Sequence, residues 1–394
     1  VFPTAPMGMV YPGDTGIPRS TYSEDLRDFA PRVGFAWDLT GNGKLSLRGG
    51  YGIFYDAPMS ELTLQFLGVQ PYGLQPNLYY VTDYANPYPS SVYNPMANPF
   101  PFKPSKPGDK VDYTAFGTMA LTVMDPNFKT PYGQQANLQL QYQIAKDWLI
   151  ETGYVWSNGV RLLNRREINP AVPGPGASDG DTDYRRIYNV NHPRAEEWGG
   201  AVFGGITNQS SDANSNYNSL QVMLTKRFGH GLSMTNAYTW AHGIDNASGL
   251  RTNMRYNSNT ADRGNSDTDV RHRYVLTYQY ELPFMKDQKG VLGKVLGGWN
   301  VSGITTFQTG QPFSVTESDD RSLTGGGGDR PDWAGSSKIV YYDPRSVNAV
   351  SGRANSWFDG TGGNTDDAAT SPYFRRVGSA ATWEDGAGRF GNLG

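Results

Sequence analysis

Three aspartates at alternate positions are the residues of this sequence that most suggest metal chemistry. Asp179, Asp181 and Asp183 would offer a hard cation such as Ca²⁺ the oxygen ligands it prefers. An EF-hand loop continues with Gly at its sixth position and Glu at its twelfth, but Tyr184 and Val190 stand there. The pattern favours a solvated acidic turn over a metal site, and an irregular calcium loop is the alternative that stays open.

A dense run of charges leads into one predicted strand and includes its first residues. Its members could line a ligand path or a gate, or they could form an ion-pair network that holds a loop in place with limited net stability. We expect the network. The residues are Asp262, Arg263, Asp267, Asp269, Arg271, His272 and Arg273.

Tyrosines interleaved with Pro and Asn are the candidate ligand-binding residues. Aromatic rings can stack on sugar rings or apolar ligands at a small entropy cost, and the alternative is that they pack loops against one another. They hint at a saccharide or a peptide ligand. The residues are Tyr72, Tyr79, Tyr80, Tyr84, Tyr88 and Tyr93.

Catalytic motifs are missing from the sequence. There is no H-E-x-x-H, no G-x-S-x-G and no P-loop. Carboxylates occur in pairs only where loops are predicted, and spacing in a loop says little about distance. We expect that the chain is not an enzyme and needs no cofactor.

Composition excludes several other classes of protein. The 394 residues include 34 Lys and Arg against 37 Asp and Glu, a net charge of −3 that is too near neutral for a nucleic-acid-binding face. The absence of Cys excludes disulfides and thiolate metal sites. No apolar run reaches the roughly 18 residues of a membrane helix. Aromatic residues at 13%, with 48 Gly and 26 Pro, indicate a β-protein.

Apolar and polar residues alternate in four pairs of segments, and this period of two predicts strands. The predicted hairpins are 32–38 with 45–55, 137–144 with 148–156, 220–228 with 232–240, and 270–282 with 299–308. Lys226 interrupts the apolar face near a turn. The signal predicts eight antiparallel strands and almost no helix.

Short and long connections alternate between these strands. The short ones are 39–44, 146–147, 229–231 and 283–298, and the long ones are about 56–133, 157–217 and 241–269. Long loops are rare in compact soluble domains, whereas short turns at one rim and long loops at the other are typical of outer-membrane barrels. We therefore predict an all-β fold, an antiparallel transmembrane β-barrel with long extracellular loops. A soluble β-sandwich, whose strands also alternate, is the alternative.

In such a barrel the apolar side chains face lipid and the polar ones face the lumen. We expect the lumen-facing residues to contact a plug domain rather than substrate. They are Arg32, Arg48, Gln139, Gln141, Gln143, Glu151 and Arg273.

Seven stretches spread over almost the whole chain carry a family resemblance. They are 28–38 (DFAPRVGFAWD), 49–56 (GGYGIFYD), 216–221 (NYNSLQ), 238–240 (YTW), 244–247 (IDNA), 267–273 (DTDVRHR) and 310–313 (GQPF). Together they resemble the barrel of TonB-dependent outer-membrane receptors that carry an N-terminal carboxypeptidase-regulatory-like domain.

That resemblance implies energy-coupled uptake of a solute such as an oligosaccharide or a peptide, in the outer membrane of a Gram-negative bacterium. The partners it implies are the solute, outer-membrane lipid, and the TonB energy-coupling complex acting through a plug domain. It also implies a barrel of about 22 strands. We expect residues 1–394 to be a partial barrel without plug, signal peptide and final strands. A passive porin or a surface adhesin is the alternative, and a soluble carbohydrate-binding β-protein comes third.

Overall fold

Ten strands of the chain join in one sheet. The computed structural model describes residues 1–20, 25–56, 62, 64–66, 69–73, 103–249, 258, 260–317, 319–326, 329–333 and 374–375. The path of the sheet is β1 (Arg32–Asp38), β2 (Leu45–Tyr55), β4 (Tyr132–Ala145), β5 (Trp148–Glu167), β6 (Phe203–Gly229), β7 (Leu232–Asp245), β9 (His272–Glu281) and β10 (Asn300–Gln308). Beside this path, β3 (Met119–Met124) pairs with β6, and β8 (Gly264–Asn265) pairs with β7. A separate pair joins β11 (Asp332–Trp333) and β12 (Phe374–Arg375).

The four predicted hairpins are confirmed. Every neighbouring pair along the path is antiparallel, and the strands follow one another in chain order apart from the two short side strands. The four hairpins form one continuous sheet in the described residues, not the two packed sheets of a sandwich. In the described part of the chain, β1 and β10 are the two edges of this sheet. Barrel closure and the total strand number therefore stay predictions.

Two strands run much further than the alternation predicted. β5 has 20 residues and β6 has 27, and their pairing continues to Glu167 opposite Thr207. The prediction of one loop over 157–217 was therefore wrong. This part of the ladder is rich in Asn and Ser, and backbone hydrogen bonds need no apolar side chains, so the periodicity gave no signal. The parallel pairing of β3 with β6 also had no local signal.

The register gives the sheet two unlike faces. One face carries rows of large apolar side chains, many of them exposed, such as Phe35 at 53% and Trp37 at 61%. An apolar surface this extensive requires a partner other than water. Cross-strand register assigns to this face Val33, Phe35, Trp37, Leu47, Leu140, Tyr142, Tyr154, Leu220, Val222, Tyr238, Tyr274, Val301 and Phe307.

Lys226, which interrupts the apolar pattern, is buried at the turn between β6 and β7. Its ammonium group donates hydrogen bonds to the carbonyls of Gly229 at 2.9 Å and Leu232 at 3.1 Å. It also lies 5.8 Å from the centre of the Trp148 ring. The charge therefore stabilises the turn, because it donates to carbonyls on both sides of it, next to the register shift between Lys226 and Gly229.

The apolar core lies at the end of the sheet where β3 pairs with the start of β6 and the long connections meet. We call residues 1–17, 103–131, 168–206, 317, 319–326 and 329–330 the rim assembly. Its core combines side chains from three of these segments: Phe2, Tyr11, Tyr113, Met119, Leu121, Val202, Phe203 and Ile206. Backbone hydrogen bonds join Met119 to Val202 at 3.0 Å and Ala171 to Thr324 at 2.7 Å. The long connections are therefore packed structure over these ranges.

Helices are short and lie in the connections. They are the 3₁₀ turns Tyr113–Phe116, Asp179–Arg185 and Ala195–Trp198, and the α-helices Ile187–Val190 and Gly290–Leu296. No helix in the described part of the chain is long and apolar enough to cross a membrane.

Candidate functional site

Hydrogen-bonding side chains, interrupted by Gly153, form a row across the polar face of the sheet from β2 to β10. The register places Arg48 opposite Gln139 and, five strands further on, Arg273 opposite Thr239 and Gln308. All seven residues predicted to face the lumen share this face, although Val155, Met223 and Val275 also lie on it. The complete row is Arg48, Gln139, Gly153, Gln221, Thr239, Arg273 and Gln308.

On this face, Glu151 accepts hydrogen bonds from the side-chain amides of two neighbouring glutamines. Gln139 donates from Nε2 to Glu151 Oε1 at 3.2 Å, and Gln141 donates to the same oxygen. Ser46 donates in turn to Gln141 Oε1 at 3.3 Å. The carboxylate orients both glutamines, so these side chains present a partly ordered polar surface.

Arg32 is held at the edge of the same face. Its guanidinium lies 4.5 Å from the centre of the Phe54 ring, within the range of a cation–π contact. The arrangement keeps a fixed positive charge on β1. Whether Arg32 and its neighbours face a lumen or a plug stays a prediction.

The candidate ligand-binding tyrosines fall largely outside the described residues, which include Tyr72 alone. The Tyr72 ring packs edge-on against Phe2 at 5.3 Å and against Tyr11 at 5.8 Å between ring centres, and the residue is 40% exposed. Tyr72 therefore packs the loops against one another, the alternative to ligand stacking that the sequence left open. Part of its ring is still accessible. Tyr79, Tyr80, Tyr84, Tyr88 and Tyr93 lie outside the described residues.

The acidic segment 179–183 begins a short 3₁₀ turn. The Ser178 backbone N–H donates to Asp181 at 2.9 Å, the side-chain half of a capping box. Arg185 pairs with Asp181 at 2.6 Å and Arg186 with Asp183 at 2.7 Å. No cluster of metal-ligating side chains occurs in the part of the chain that the structure describes.

A concavity of about 410 Å³ lies beside this turn, within the rim assembly. Its walls include Asp179, Asp183, Asp319, Asp320 and Tyr184. Burial, with the charges of Asp320 and Asp319, raises the pKa of Asp179 above its usual value. The concavity is therefore acidic, although arginines offset part of its charge.

The charge cluster before β9 forms short-range pairs, as expected for a network. Asp269 accepts from the Gly243 backbone N–H at 2.8 Å and from Arg271 at 3.3 Å. Asp262 pairs with Arg330 at 3.1 Å. These contacts connect three segments that are far apart in the sequence. No local pattern around Arg330 could have predicted its ion pair with Asp262.

Arg185 and Arg321 hold the segments beside the concavity together, and sequence reasoning missed both. Arg185 donates to the carbonyls of Val172, Ser178 and Leu323 at 2.7–2.9 Å. Arg321 is 2% exposed and pairs with Asp319 at 2.8 Å. A lone arginine in a polar loop carries no signal of burial, so only the three-dimensional contacts could identify them.

Comparisons with known proteins agree with this two-faced sheet. The family model described as "Outer membrane beta barrel domain" matches residues 1–394. No curated protein matches the chain.

Solved structures also resemble the chain at low sequence identity. The outer membrane transporter YddB from Escherichia coli is 12% identical with a TM-score of 0.37, over 64% of this chain and 26% of that one. The FrpB iron transporter from Neisseria meningitidis is 9% identical with a TM-score of 0.31, over 64% and 24%. The siderophore receptor PirA from Acinetobacter baumannii is 10% identical with a TM-score of 0.28, over 73% and 35%. The chain spans about a quarter to a third of the length of these structures.

Proposed function

The chain belongs to the outer membrane β-barrel domain family, and from this premise we propose that it forms barrel wall in a TonB-dependent receptor. The protein resides in the outer membrane of a Gram-negative bacterium. Its proposed work is transport rather than catalysis: it encloses the path of a solute, seats a plug and positions external loops.

The unlike faces of the sheet are the observation that carries the proposal. In the hydrocarbon of a membrane, a protein made of strands can pair all its backbone N–H and C=O groups only as a closed barrel. Its apolar side chains then face the lipid. A spanning strand needs about 9–11 residues. The four strands β4 to β7 each have at least 14 residues, which is long enough to cross.

The row from Arg48 to Gln308 supports the proposed plug contact. Two arginines and three glutamines on one face supply donors and acceptors along a surface that a folded plug could meet. The Glu151 group adds an oriented carboxylate and two amides.

We extend the proposal to the receptor type with a carboxypeptidase-regulatory-like domain, on the resemblance of residues 28–38 and 49–56. The substrate class that we propose is an oligosaccharide or a peptide. Both would use the tyrosine-rich first connection, which contains Tyr72. Energy would come from the TonB complex acting on the plug.

Solute flux separates a gated receptor from a passive pore. The complete receptor is reconstituted into liposomes, and swelling is followed in arabinose, raffinose and a neutral tripeptide. We expect no sustained swelling, because a seated plug closes the path. Steady swelling of the intact protein would overturn the proposal and favour a porin.

Dependence on energy is the second arm of this test. Cells that express the receptor are compared with cells that lack TonB, using uptake of labelled raffinose, stachyose and tripeptide. The receptor should support uptake of at least one probe in the first cells only. Equal uptake in both cells would contradict TonB coupling even where liposomes do not swell.

A further inference from the structure

The connection between β9 and β10 exposes an unusual amount of apolar surface. It contains the helix Gly290–Leu296 and lies at the same rim as the tight turns after β1, β4 and β6. Val291 is 83% exposed, Leu292 66% and Val295 60%. Exposed valines and leucines are unusual in a short connection that faces water, because surface residues are normally polar.

The helix packs on its own connection through its glycine side. Gly293 is buried, and a Cβ there would lie 2.9 Å from the backbone carbon of Gln288. Val291, Leu292, Val295 and Leu296 occupy the other side, because positions i and i+4 lie together on a helix. The apolar side therefore points away from the protein.

This apolar side continues the apolar face of the sheet. The Leu282 backbone N–H donates to the Trp299 carbonyl at 2.9 Å, which extends the β9–β10 register by one pair. Trp299 thus shares a face with Tyr280 and Val301. Its indole donates to the Val295 carbonyl at 2.8 Å, so the exposed Trp links the helix to that face.

Lysines surround the apolar side. Lys286, Lys289 and Lys294 lie in the connection with Asp287 as the one acidic residue, a local charge of +2. The Lys289 side chain is 87% exposed, and its contact with Asp287 is 3.8 Å long. Lysine stems can lie along apolar surface while their ammonium groups reach anionic headgroups.

We propose that residues 282–299 form an interfacial anchor, with the helix Gly290–Leu296 lying in the headgroup–acyl boundary of the phospholipid leaflet at the short-turn rim. Short turns of outer-membrane barrels face the periplasm, so this is the inner leaflet of the outer membrane. The occupant of the apolar side is lipid with anionic headgroups. The anchor rests on the membrane placement of the sheet and is independent of what the receptor transports.

Its depth in the bilayer can be measured directly, because these 394 residues contain no cysteine. A spin label at Val295→Cys is compared with one at Lys146→Cys, an exposed turn position at the same rim. The complete receptor is placed in vesicles of phosphatidylethanolamine and phosphatidylglycerol. We expect a several-fold higher ratio of oxygen to nickel-chelate collisions at position 295, since oxygen concentrates in lipid. Equal ratios at the two positions would overturn the proposal.

Two further arms separate lipid from other occupants. Leu292→Cys should report the same depth as position 295, and a water-exposed label there would also overturn the anchor. Protection that grows with the ratio of protein to lipid would identify a second copy of the chain as the occupant instead. Replacing phosphatidylglycerol with phosphatidylcholine, or introducing Lys289→Gln with Lys294→Gln, should make the label at 295 shallower. An unchanged depth would contradict the anionic preference.

Discussion

The guanidinium of Arg185 donates a hydrogen bond to the backbone carbonyl of Leu323 at 2.9 Å, across 138 residues of sequence. This contact joins the connection between β5 and β6 to the segment that follows β10. Leu323 itself is fully buried and packs with Ala177. The long connections are therefore held to one another, and this contact can be tested without touching the sheet.

Arg185→Met should loosen the segment after β10. The change removes hydrogen bonds to three carbonyls and the pair with Asp181, and each charge-assisted bond contributes about 1.5–3 kcal/mol. Hydrogen exchange at residues 320–326 should accelerate by more than tenfold. Arg194→Met is the matched control, because its pair with Glu197 lies at the surface. Similar exchange in the two variants would contradict the linking role of Arg185.

Gly49→Val should destabilise the β1–β2 hairpin. The Phe35 ring covers Gly49, and a Cβ at this glycine would lie 2.6 Å from Phe35 Cε1 and 3.2 Å from the Asn137 carbonyl. Overpacking of this kind costs about 1–3 kcal/mol. Urea unfolding from lipid vesicles measures the loss.

Gly133→Val is the control for this change, because a Cβ at Gly133 in β4 meets nothing within 4 Å. We expect its free energy of unfolding to stay within about 0.5 kcal/mol of the parent, as for an unconstrained surface change. A loss at Gly133 as large as at Gly49 would show that valine in a strand, not the Phe35 contact, causes the effect.

The two faces of β4 should differ in their access to water. Gln139→Cys and Leu140→Cys place thiols at adjacent positions on opposite faces. In vesicles, a charged maleimide that cannot cross membranes should label position 139 much faster than position 140, since one faces the lumen and the other lipid. Equal labelling would contradict the assignment of the polar face to the lumen.

Acid should stabilise the segment around Asp329. Burial, with the charge of Asp320, raises the pKa of Asp329 to about 6, and the residue is 2% exposed. The folded state then holds the proton more tightly than the unfolded state, so stability increases as the pH falls through 6 and levels off near the ordinary carboxyl value. The gain is on the order of 2–3 kcal/mol.

Hydrogen-exchange protection at Ser322 measures this gain, because its backbone N–H donates to Asp329 at 2.6 Å. Values are corrected for the intrinsic pH dependence of exchange. Asp329→Asn keeps an acceptor oxygen and removes the titration, so its protection should vary much less between pH 4 and pH 7, values that bracket the transition. Protection of the parent protein that rises with pH would refute the prediction.

The sequence by itself determined the strands, because alternation and turn residues are local signals. Arg32–Asp38 and Leu45–Tyr55 follow their apolar pattern, and the same pattern separates Gln139 from Leu140 onto opposite faces. The aspartates at 179–183 also lie in a short turn, as their sequence pattern indicated.

Only the tertiary structure decided how the connections pack. The polar extensions of β5 and β6, the parallel strand Met119–Met124 and the contact between Arg185 and Leu323 depend on partners far away in the sequence. Such contacts form because buried carbonyls need hydrogen-bond donors and apolar side chains are more stable away from water. Neither requirement specifies which distant segment supplies the donor or the packing surface. The tertiary structure also decides which side of the helix Gly290–Leu296 is exposed, because Gly293 packs against Gln288 and leaves the valines and leucines outside.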